Sequence, residues 1–117
     1  MQTTAALIKM TRTIARVEAE LSPEGTWKLR GIMTDGTEFA PPAAFKMTRQ
    51  HPQDVIDLVV GIETYFNTSF LLVRGKSRSA ACFYTTTDST LEDIGPKAIF
   101  ERSQWHVVLS SVRPFAS

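Results

Sequence analysis

A single cysteine, Cys82, excludes an internal disulfide and fits a reducing compartment. Histidine is scarce too, with only His51 and His106. No H-x-x-x-H or C-x-x-C spacing exists, so no metal site is written locally in the chain. No apolar run approaches the ~20 residues that a membrane-spanning helix needs. An excess of either charge is also missing: 13 basic and 12 acidic residues leave +1. That balance excludes a polyanionic mimic of nucleic acid. It also argues against a generic DNA-coating protein, which needs a large positive surplus.

Chemical motifs are equally thin. Gly75-Lys76-Ser77 ends like a phosphate loop, but that loop needs a glycine five residues earlier. Phe70 stands there, and no helical pattern follows Ser77. No G-x-S-x-G elbow is present. Cys82 lies inside the apolar run Ala80–Tyr84, the setting of an inert, core-filling thiol. Glu92 and Asp93 are adjacent carboxylates, but the first turn of a capped helix is a sufficient reason for them. The reading therefore assigns no catalytic residue, no metal ligand and no cofactor.

The N-terminal stretch has only Ala5-Ala6-Leu7-Ile8 as an apolar centre, too short for a secretory signal. Residues 1–11 are read as an arm leading into the first strand. Asn67-Thr68-Ser69 matches a glycosylation pattern, which is set aside without such a signal. The expectation is one cytoplasmic domain over 1–117, with no membrane contact.

What the chain does contain is a clear folding pattern. Residues 13–40 read as a three-stranded antiparallel meander, with turns at Ser22-Pro23-Glu24-Gly25 and Thr34-Asp35-Gly36. Ala15, Val17, Ala19 and Leu21 alternate with Arg16, Glu18 and Glu20, the period of a half-buried strand. A bulged three-residue loop, Pro23-Glu24-Gly25, pairs Glu20 with Lys28 and Glu18 with Arg30. It also sets Leu21 against Trp27 and Ala19 against Leu29. A slip of one residue would destroy both matches, so these charges are read as register pins. A second three-residue loop places Phe39 over Gly31, and Pro41-Pro42 ends that strand.

A loop through Phe45–Gln50 leads to Pro52, which suits the first turn of a helix. Val55, Leu58, Val59, Ile62 and Phe66 mark one face of a helix over 52–66, widened by Ile56, Val60 and Tyr65. Asn67 is its stop signal. Phe70–Val73 and Ala80–Thr85 read as strands joined by a II′ turn at Gly75-Lys76. Ser89-Thr90-Leu91-Glu92 has the capping-box spacing of a short helix that Gly95-Pro96 closes. Ala98–Glu101 and Trp105–Val112 are read as a last hairpin through Ser103-Gln104, with His106 on a strand. Strands grouped around one helix predict an α+β fold: a mainly antiparallel sheet, built from the meander and two further hairpins, packed on helix 52–66.

The one local charge concentration without a partner in sequence is Arg74, Lys76 and Arg78. Three cations at a hairpin tip reach phosphates or an acidic protein surface equally well. No motif ties the chain to a family. Small size and missing chemistry are the profile of accessory or inhibitor proteins, including phage and mobile-element proteins of the anti-CRISPR kind. The expectation is a non-enzymatic module that binds a protein partner through Arg74, Lys76 and Arg78. The alternatives are a single-stranded nucleic-acid or RNA binder using the same loop, and a small enzyme or ligand-binding domain with a site assembled from scattered residues. Self-association is compatible with each.

Overall fold

The first hairpin closes in the register that its charges and apolar residues require. In a computed structural model that describes residues 13–114, strand β1 (Ile14–Leu21) pairs with β2 (Trp27–Met33). The arm expected over 1–11 lies outside the described residues. Glu18 faces Arg30, Ala19 faces Leu29, Glu20 faces Lys28 and Leu21 faces Trp27. The Ser22 N–H donates to the Thr26 carbonyl at 2.8 Å, which closes the loop over Pro23, Glu24 and Gly25.

The second loop also spans three residues, since the Met33 N–H donates to the Thr37 carbonyl at 2.7 Å. Phe39 then crosses Gly31, where an added Cβ would stand 2.8 Å from the Phe39 Cβ. Only glycine leaves room for that crossing. The expected third strand is reduced here to a bridge between Ile32 and Glu38. The strand that flanks β2 is instead β3 (Thr48–Arg49), in the stretch read as a loop. The intervening prolines cannot donate to a ladder, so pairing resumes only beyond them.

Helix α1 (Pro52–Phe66) has the expected ends, with Asn67 in the left-handed conformation at its C-terminus. Its buried face carries Val55, Ile56, Leu58, Val59 and Ile62. Tyr65 is 55% exposed, but its ring packs against Phe39, Phe45 and Phe66 at 4.9–5.8 Å. Strands β4 (Phe70–Arg74) and β5 (Ala80–Thr85) follow as a hairpin. Helix α2 (Thr90–Ile94) is short. Its first amide is capped by the Asp88 carboxylate at 2.8 Å, and Ser89 makes no side-chain cap. The expected Ser89–Glu92 box therefore does not form.

The C-terminal region differs most from expectation. Only β6 (Ile99–Phe100) is a strand, and Arg102–Ser111 forms helix α3, with His106 on its exposed side. Trp105, Val108 and Leu109 stand at helical spacing and are the buried residues of α3. Glu101 and Gln104 cap the start reciprocally. One helical stripe and a formed cap outweigh the β-branched pair Val107-Val108.

The result is an α+β fold with a six-stranded sheet in the order β3-β2-β1-β5-β4-β6, antiparallel at every pairing. One core cluster joins α1 and α3 to one face of the sheet, through Val17, Leu29, Leu72 and Phe83. Glu63, 6% exposed, ties these layers together. Its Oε2 accepts from the Phe70 N–H at 2.8 Å and its Oε1 pairs with Arg102. The Arg102 guanidinium lies 4.9 Å over the Trp105 ring, and the Trp105 Nε1 donates to the Phe100 carbonyl at 3.0 Å.

Glu18 and Arg30 close into an ion pair at 2.6 Å, whereas Glu20 and Lys28 face each other without one. Alanine double-mutant cycles monitored by urea unfolding should give a coupling of ~0.2–1 kcal/mol for Glu18–Arg30 and a smaller one for Glu20–Lys28. Equal couplings would show that register alone sets the interaction.

Candidate functional site

Alternation along the strands sends half of the sheet's side chains away from the helices. Pairing places Arg30, Glu18, Cys82, Val73 and Ile99 in one row across that second face. Lys28, Glu20 and Ala80 form the next row. The β1–β2 side of this face is charged, and the β5–β4 side is apolar. The chain between β5 and β6 supplies a wall through Ile94 and Ala98. The first hairpin, through Ser22, Pro23 and Glu24, supplies another. Together they enclose a trough of about 1040 Å³.

The charged floor is braced from within. Glu18 accepts from the Arg16 Nε at 2.9 Å and from the Arg30 Nη2 at 2.6 Å. The hydrogen bond from Arg30, reinforced by Arg16, holds the Glu18 carboxyl below the usual carboxylate range. Its ion pairs are thus in place above the ordinary carboxylate pKa and are lost only as pH falls through the lowered value. Both guanidiniums are raised, chiefly by their hydrogen bonds to Glu18.

Cys82 does not fill the core, as its sequence setting predicts. It stands on the trough floor, because Ala81 and Phe83 take the helix-facing positions of β5. Burial pushes its thiol up to about 11, against an opposing hydrogen bond to Tyr84. The Tyr84 phenol is raised by burial as well. A thiol with this pKa is protonated at neutral pH and is a poor nucleophile.

The basic tip divides. Arg74 and Lys76 line the trough at the β4–β5 end. Arg74 also has a local partner, which the sequence does not show: its guanidinium lies 5.7 Å over the Phe100 ring. Arg78 is outside the trough lining, and its carbonyl accepts from the Arg113 N–H at 3.2 Å. The expected II′ turn is absent, because Gly75 does not adopt a positive φ. Gly75 extends the ladder instead, donating to the Ala80 carbonyl at 3.1 Å. A side chain there would meet that carbonyl at 2.7 Å. The turn lies at Ser77–Ala80, and buried Ser79 lashes it to β1 through a 2.8 Å bond from the Leu21 N–H.

The scattered residues do not assemble into a metal or catalytic cluster. Among the described residues, no group of three His, Cys, Asp or Glu side chains converges to hold a metal ion. His51 precedes α1 as its N-cap residue, and His106 lies on α3 beside Ser110 at 3.5 Å. Among the described residues, no helix is long and apolar enough to cross a membrane. Sequence reasoning missed the trough because its charges pair well as register pins. The overlooked signal was that β4 and β5 are apolar on both faces, as strands covered on both sides are.

The Cys82 setting has a direct consequence. Raising a thiol pKa favours its protonated form in the fold, so this contribution is present at neutral pH and is lost as pH rises toward about 11. At pH 8 iodoacetamide should modify the folded chain about 100-fold more slowly than the urea-unfolded chain. Equal rates would place Cys82 in open solvent.

No protein-family model, curated protein or solved structure matches the chain, so the reading of the site rests on its own geometry.

Proposed function

We propose that this chain is a non-enzymatic module that holds a protein partner in the trough on the helix-free face of its sheet. It acts inside the cell as an accessory or inhibitor protein. The observation that carries this reading is the mixed lining of the trough. Val73, Ala80 and Ala98 offer apolar contact on one side, and Lys28, Arg30 and Glu20 offer fixed charges on the other. Protein surfaces combine both kinds of group, and recognition uses both. The trough also gives two of the three tip cations, Arg74 and Lys76, a place beside the partner.

A nucleic-acid strand is the weaker fit. Glu18, Glu20, Glu24 and Glu38 all line the trough and would repel phosphates. Enzymatic readings lack a group poised for chemistry, since the thiol on the floor is held protonated at neutral pH.

The test is affinity capture from nuclease-treated lysate of the cell that contains the protein. Four baits are compared: the parent chain, Lys76→Glu, Ala98→Glu and Arg78→Ala. The expected result is a protein retained by the parent and by Arg78→Ala, and lost with Lys76→Glu and Ala98→Glu. Exposed charge changes contribute little to stability, so Lys76→Glu leaves the fold intact. Retention that vanishes with nuclease treatment would overturn the reading in favour of nucleic acid. Retention that depends on Arg78 but not on Lys76 would move the site off the trough.

A further inference from the structure

The geometry of the trough also selects the conformation of what fills it. We infer that the partner inserts an amphipathic α-helix, with an apolar stripe against Val73, Ala80 and Ala98 and carboxylates toward Lys28 and Lys76. This rests on the trough being the binding site.

Strand addition at the edges is not available. The edge strands β3 and β6 have two residues each and are already paired inward. Such short edges make poor templates for a further strand. On the floor, β1 and β5 pair on both sides. Their backbone groups are therefore committed to ladders. An extended segment laid across them would bury its own N–H and C=O groups without partners, which is costly. A helix arrives with its backbone bonds already made.

Width and lining agree. From β2 to β4 the face spans three strand intervals, about 14 Å, which accommodates a helix about 10–12 Å across. The opposite face of the same sheet already packs two helices, α1 and α3. The two-toned floor, apolar toward β4 and charged toward β2, matches the two sides of an amphipathic helix.

Charge sets the flank chemistry. Glu18 and Arg30 are engaged with each other. Among the described residues Lys28 and Lys76 make no ion pair, and Arg74 is held only by a ring. These three cations outnumber Glu20 and Glu24 at the same end of the lining. Carboxylates on the incoming helix would meet them, and cationic side chains would be repelled.

The experiment follows backbone amide shifts of the isotope-labelled full chain on titration with three peptides. The first is an Ala-rich helix of about 16 residues, long enough to be helical in water, with a leucine stripe and glutamates on one flank. The second replaces the glutamates by lysines. The third carries mid-chain prolines that prevent the helix. The glutamate helix should shift the amides of Val73, Cys82, Tyr84 and Ala98, and the lysine helix should bind about tenfold more weakly. On a Lys28→Glu/Lys76→Glu chain that order should reverse. An unreversed order would overturn the charge assignment. Equal shifts with the proline peptide would overturn the helix while leaving the trough as the site. Unperturbed trough amides with every peptide would overturn both.

Discussion

Glu63 stands where α1, α3 and β4 meet, and its carboxylate is nearly withdrawn from solvent. A buried carboxylate is expensive unless every oxygen finds a donor. Here one oxygen takes the first amide of β4 and the other takes Arg102. Those partners belong to different elements, so satisfying the charge fixes three elements at once. Arg102 extends the clasp by lying over Trp105, whose ring packs edge-on against Phe83 at 4.9 Å. The centre of β5 is thereby tied to the last helix. The arrangement makes α3 depend on a residue of α1 far away in sequence.

The clasp also explains why the two faces of the sheet differ. It gathers α1 and α3 on one side, where the core cluster lies. An antiparallel sheet tolerates one face left to solvent or to a partner. That second face has its own internal bracing, the Arg16–Glu18–Arg30 network. Charges held in place by neighbours are preorganised, which lowers the ordering cost of recognition. The structural and recognition faces are thus separated by a single layer of strands, and β1 and β5 serve both.

Local sequence rules captured what local physics decides. The Ser22–Gly25 loop, the Glu18–Arg30 register and α1 all follow from residues close in the chain. The basic tip was half legible: Arg74 and Lys76 reach the trough and Arg78 does not, because the turn lies at Ser77–Ala80. Helix α3 was misread because Val107 and Val108 favour strands, while the decisive stripe of Trp105, Val108 and Leu109 depends on burial against Phe83 and α1. The cap there begins with Glu101 rather than serine or threonine, a less familiar version of the box. The trough was not legible, because it arises from the pairing of β1 with β5 across most of the chain.

The central claim is that Glu63 holds α3 and β4 to the rest of the molecule. Hydrogen exchange of a Glu63→Ala chain, resolved by residue, tests it most directly. Protection should collapse at the Phe70 amide and across 102–111, while the amides pairing β1 with β2 stay slow to exchange. Protection unchanged over α3, or lost equally in the first hairpin, would contradict the account.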